Sequence, residues 1–140
     1  MRLVFYHGPG DLMTYLIRLW TWSRYSHVEL LFSDGMGFSA CGKEKVGGRF
    51  KPIHALTHYD VVQVEADEQD VRDWCEERVG HQFDFMGMLA VAFRIPIESK
   101  PGRWYCTRIC IEALQSAGSL LGLSSHITPQ DLYEHLTGEA

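Results

Sequence analysis

Two periods of apolar residues, one of two and one of three to four, divide this chain of 140 residues into strands and helices. The stretch "RLVFY" (2–6) reads as a strand, closed by the Gly-Pro-Gly of "HGPG". Asp11 then caps a helix through about Trp22, with Leu12, Tyr15, Leu16, Leu19 and Trp20 as its apolar stripe. "SHVELLF" (26–32) is a strand, and Asp34-Gly35 in "SDGMG" is the turn of a hairpin whose returning strand is "FSACG" (38–42). A further strand near "VGGRF" and another in "YDVVQVEA" (59–66) follow.

The period then lengthens. Asp67 caps "EQDVRDWCEERVG", an amphipathic helix ending near Gly80, with Val71, Trp74, Cys75 and Val79 on one face. A more apolar helix covers roughly 83 to 93, "IPIESKPGR" (95–103) is a loop, and "WYCTRICIEAL" opens a helix that runs to about Gly118. Thr128-Pro129 starts a last short helix, "PQDLYEHL". Strands in hairpin style followed by helices predict an α+β chain, an antiparallel β-sheet packed against a helical cluster in one domain over 1–140.

Composition narrows what such a chain does. Hydrophobic residues make up 46%, enough for a packed core, and the formal charge of −5 speaks against a nucleic-acid partner. "FMGMLAVAF" (85–93) is too short to span a bilayer, so no integral membrane segment is expected. The chain reads as opening on a strand rather than a leader, so a cytoplasmic location is expected, with its four cysteines as reduced thiols.

Those cysteines carry the candidate chemistry. Cys106, Ile109, Cys110, Ala113, Leu114 and Ala117 form one buried stripe of the penultimate helix. Cys110 lies a turn inside, flanked by isoleucines, where burial leaves a thiol inert. Cys106 stands in the first turn, where unpaired N–H groups and the helix dipole favour an anion and so a reactive thiolate. By position alone it is either a nucleophile or the first residue of the core stripe. A nucleophile needs a base, and of seven histidines His27 alone opens a strand that can hold an imidazole rigidly. Glu29, two residues on, shares its face and is placed to orient it or to meet a substrate cation. A metal site using His27, Glu29 and a cysteine is a third reading, although no second Cys/His pair has zinc-knuckle spacing.

The order of "YSHVELLFSDGMGFSA" early and "WYCTRICIEAL" late resembles the circularly permuted branch of the NlpC-type papain-like cysteine hydrolases, which includes the YiiX-like proteins and the lecithin–retinol acyltransferase group. In that branch the histidine strand precedes the cysteine helix, as here. "HQFDF" (81–85) is similar to the Tyr-Asp element ahead of the family's cysteine, and the likeness spans roughly residues 2 to 118. It implies a papain-like fold, Cys106 as nucleophile, His27 as base, and a cysteine peptidase, amidase or acyltransferase acting on an amide or ester. The implied partner is a small-molecule, peptide or lipid substrate with a carbonyl group; no cofactor is implied, and a phage or prophage protein fits the pattern. The family's third polar residue, often Glu, falls at Ser39, which carries no charge. Glu29 then takes over the orienting role, Ser39 hydrogen-bonds the imidazole, or the site works as a dyad. A catalytically inactive module that binds a peptide or lipid is the alternative. Tyr25, Trp104 and Tyr105 flank the expected site and are its candidate substrate-binding residues.

Overall fold

The computed structural model describes residues 1–10, 12–21, 23–41, 44–94 and 103–138. Seven strands and five helices lie among them, in this order: β1 (Arg2–Tyr6), α1 (Leu12–Thr21), β2 (His27–Leu31), β3 (Met36–Cys41), β4 (Val46–Pro52), β5 (Tyr59–Gln63), α2 (Glu68–Glu76), β6 (Gln82–Phe83), α3 (Phe85–Ala92), β7 (Arg103–Trp104), α4 (Cys106–Ser116) and α5 (Pro129–Thr137). The expected cap at Asp11, the side chain of Trp20, Trp22 and the loop of 95–102 lie outside the described residues and side chains.

One sheet holds all the strands in the order β5-β1-β2-β3-β4-β6-β7. The α+β class is as expected, but the sheet is mixed rather than antiparallel, because β6 and β7 pair in parallel at Gln82↔Arg103 and Phe83↔Trp104. These two-residue strands are too short to show a period in the sequence. They join the sheet through backbone contacts. Gly47 and Gly48 of β4 lie so close to the chain at Arg78–Gln82 that a Cβ on either would stand 2.0 Å from the Gln82 carbonyl oxygen or 2.4 Å from that of Arg78. Glycine at both positions lets β4 bond His81 and Gly80 backbone directly.

The β2–β3 hairpin forms at the predicted place, with Gly35 at φ +86° and Phe32 N–H donating to the Met36 carbonyl. Its ladder is short, with Leu30↔Phe38 and Leu31↔Gly37 as partners. The core lies between this sheet and α4. Leu3, Phe5, Val28, Leu30, Phe32, Phe38 and Ala40 meet Ile109, Cys110, Ala113 and Leu114, all buried. Ile111 is also fully buried, outside the predicted stripe. Sheet, α2 and α5 all pack on α4, so it has little free face.

Two helix boundaries differ from the sequence reading. The helix capped by Asp67 stops at Glu76, so Val79 falls beyond it and is exposed. Val71 and Cys75 are buried as expected. Asp84, read inside a helix of 83 to 93, is instead the N-cap of α3 and accepts from Gly87 N–H at 2.9 Å. All four cysteines are free thiols. Among the described residues no helix is long and apolar enough to cross a membrane.

Candidate active site

The first turn of α4 meets the start of β2. Tyr105 is the N-cap of α4 in extended conformation, with no side-chain hydrogen bond to the helix. The first N–H groups of α4 therefore lack the side-chain acceptor found at a capped helix such as α5, where Thr128 and Asp131 form a reciprocal box. Cys106 is the first residue of this uncapped turn, and its thiol sits against the His27 imidazole.

The two groups change each other's protonation. Burial is the largest influence on Cys106 and disfavours its thiolate. Hydrogen bonding and charge from His27 outweigh it, helped by a backbone hydrogen bond from Val28 and by the Thr107 hydroxyl, and the pKa falls below the ordinary thiol value. On His27, burial opposes the imidazolium, but Cys106 and Glu29 together raise its pKa above the ordinary imidazole value. A lowered thiol and a raised imidazole both shift the pair towards thiolate and imidazolium.

Glu29 backs this pair as the spacing on β2 suggested. Its Oε1 lies 3.8 Å from His27 Nε2, an ion-pair distance too long for a hydrogen bond, and that buried nitrogen has no hydrogen-bond partner among the described residues. The same Oε1 accepts from Arg49 Nη1 at 3.0 Å. Burial raises the Glu29 pKa, but the charges of His27 and Arg49 hold it down at about 2. Tyr59 on β5 faces the same carboxylate; burial, with the charge of Glu29 behind it, pushes its phenol up to about 12.

Ser39 does something else. Its hydroxyl donates to the Val28 carbonyl at 2.7 Å and lies 4.0 Å from Cys110 Sγ. The hydroxyl proton is thus committed to backbone beyond the β2–β3 ladder, and it orients the strand rather than the imidazole. The expected Ser39–His27 hydrogen bond gives way to one with the Val28 carbonyl, a backbone acceptor that needs a partner.

A narrow pocket opens beside Cys106, with about 40 Å³ free for a water-sized occupant. Its walls include Tyr25, Tyr105, Met88, Val91 and Ile127. Two of the three residues expected to bind substrate therefore line it. Tyr25 is fixed by a hydrogen bond to Asp60, and Tyr105 donates to the Ser125 carbonyl at 3.0 Å. Trp104 is not in the wall. Its indole N–H donates to His81 Nδ1 at 3.1 Å, its ring meets Trp74 edge-on, and Arg108 stacks over it. Trp104 is thus a packing residue that fixes β7 and the approach to α4.

The sequence reading missed Arg49 and the α3 and α5 side of the pocket. Arg49 lies in the predicted "VGGRF" strand, but its contact with Glu29 depends on the β3–β4 register, which one strand's pattern does not reveal. Among the described residues no three His, Cys, Asp or Glu side chains are grouped as metal ligands would be. Comparison with known families finds no family model that matches the chain, and no curated protein matches it.

Proposed function

We propose that this chain is a cysteine hydrolase or acyltransferase of the permuted papain-like type, acting on an amide or ester carbonyl. One observation carries the reading: Cys106 occupies an uncapped helix N-terminus against a half-buried histidine that has a buried carboxylate behind it. The order of the parts, histidine strand β2 well before cysteine helix α4, agrees with the permuted branch.

The chemistry follows from the groups present. The Cys106 thiolate attacks the substrate carbonyl carbon and forms a C–S bond, and the carbonyl electron pair moves to oxygen. The first N–H groups of α4 receive that oxyanion. Collapse of the tetrahedral species breaks the bond to the amine or alcohol, which leaves with the proton held by imidazolium His27. Neutral His27 then takes a proton from water, or from another acceptor, as it attacks the thioester. This releases the acyl group and restores the ion pair. Glu29 faces His27 throughout and favours the imidazolium whenever it forms. A peptide or a lipid supplies such a carbonyl, and the small pocket favours a slender group beside Cys106. The case for an inactive binding module rested on the uncharged Ser39, and Glu29 supplies the carboxylate missing there.

An activated ester, p-nitrophenyl acetate, tests the reading. A burst of one p-nitrophenolate per chain is expected, with one acetyl group on Cys106 by mass spectrometry. Cys106→Ala and His27→Ala should both lack the burst. A native protein that gains no acetyl group, or gains it equally on Cys41, would refute the proposal.

A further inference from the structure

The charge behind the imidazole has a second layer. Arg49 comes from β4, and Glu29 and His27 come from β2, with β3 between them. Ser39 is the β3 residue in register with Arg49, and its small side chain is turned to the Val28 carbonyl. The guanidinium reaches across β3 and bonds Glu29 Oε1 at 3.0 Å, the same oxygen that lies 3.8 Å from His27 Nε2. Its Nε faces Glu44 on the far side. Both members of the inner pair are secluded, with 16% of the Arg49 side chain and 5% of the Glu29 side chain exposed.

A carboxylate this buried needs a cation and a fixed direction. His27 alone provides only the first, because no hydrogen bond joins it to Glu29. Arg49 provides the second through a charge-assisted hydrogen bond. We propose that Arg49 is a positioning residue of the site, holding the Glu29 carboxylate against His27 and thereby keeping Cys106 as a thiolate. The inference rests on the reading of Cys106 and His27 as a working pair. It assigns to Arg49 and Glu29 jointly the place that an uncharged Ser39 leaves unfilled.

The sign of the effect follows from the charges. Imidazolium, thiolate, carboxylate and guanidinium sum to zero. Removing the guanidinium leaves an excess negative charge, which favours proton uptake, and frees Glu29 from its fixed direction. Both raise the pKa of Cys106. The other groups around the site are Tyr6 of β1, in register with His27, and Tyr59 of β5 facing Glu29. Cys41 and Glu44 adjoin Arg49, Lys51 faces Glu44, and Tyr105 and Cys110 adjoin Cys106.

The test is the rate of iodoacetamide labelling at Cys106 against pH, read site by site by mass spectrometry, with melting temperature as a check on folding. In Arg49→Gln the acid limb of the profile should move up by about half a pH unit or more, a roughly threefold loss of rate below the limb. The plateau rate at high pH should be kept, which a merely structural loss would not do. Added to Glu29→Gln, the same change should move the limb by less, because its target is gone. If Arg49→Gln does not fold, Arg49→Lys should shift the limb the same way by less, since a lysine keeps charge but not the planar fork. A limb that stays at its native position in the folded variant overturns the role of Arg49 alone. A native Cys106 with no acid limb below that of Cys41 overturns this inference together with the proposed function.

Discussion

Cys106 and Cys110 lie one turn apart on α4, both buried, and burial pushes both thiols towards the neutral form. They end on opposite sides of the ordinary thiol value. The same residue of β2 helps to separate them: Val28 gives Cys106 a backbone hydrogen bond that favours the thiolate, whereas its carbonyl oxygen lies 3.7 Å from Cys110 Sγ and accepts from the thiol. The Phe38 carbonyl stands 4.0 Å from Cys110 as well. Cys106 has an imidazole with a carboxylate behind it; Cys110 has two carbonyls and a serine. Burial alone raises a thiol, as at Cys110, and only an added cation offsets it, as at Cys106. At equal depth the sign of the nearest charge separates the two.

The comparison breaks most sharply at His27. In His27→Ala, Cys106 keeps its burial and loses its counter-ion, so it should behave as Cys110 does. Labelling of Cys106 at neutral pH should fall by roughly 30-fold or more, because an unassisted thiol is only a few per cent thiolate there. Competitive alkylation followed by mass spectrometry measures both cysteines in one sample, and unchanged selectivity would detach His27 from Cys106.

Glu29→Gln sharpens the same contrast with a smaller effect. The imidazolium loses its buried anion, so His27 should lose its proton at lower pH, and a proton-by-proton NMR titration of the imidazole would follow the shift. Stability also responds. The Glu29 pKa is depressed from 4.5 to about 2, so its contribution is fully present above about 4.5 and is lost as pH falls towards 2. The fall in melting temperature over that window should flatten in Glu29→Gln; an identical slope in both proteins would contradict the buried ion pair.

Cys110→Ala should move stability and leave chemistry in place. The loss of a buried sulfur and its weak hydrogen bonds should cost about 1–2 kcal/mol by denaturant unfolding, with the acid limb of Cys106 unchanged. The smallest effect is expected at Ser39. Ser39→Ala leaves the Val28 carbonyl short of one donor and should cost about 1 kcal/mol. Its Cys106 profile should match the native one. A displaced profile would return Ser39 to the role of imidazole partner.

How much the chain discloses in advance depends on the range of the interaction. The placement of Cys106 in the first turn of α4, and of Cys110 one turn in, follows from helical spacing and needs no knowledge of the sheet. The His27–Glu29 relation is also local, two residues on one strand. Arg49 is different: it reaches the site across β3, through the β3–β4 register that pairs it with Ser39. Ser39 and Trp104 were legible as polar and aromatic residues near the site, but their partners, the Val28 carbonyl and His81, come from elsewhere in the chain. The parallel pair β6–β7 stayed hidden for the same reason, since a two-residue strand exists only through its neighbour.

The central claim is that Cys106 is a thiolate at neutral pH because His27 is beside it. Thiolate ultraviolet absorbance tests this without requiring any reagent to enter the narrow pocket. The spectrum of Cys106→Ala, subtracted from that of the native protein across pH, isolates this one thiol. The account predicts a full thiolate signal at neutral pH that persists well into the acid range and disappears at neutral pH in His27→Ala. A native signal that appears only above the ordinary thiol range, or one that His27→Ala leaves in place, would contradict it.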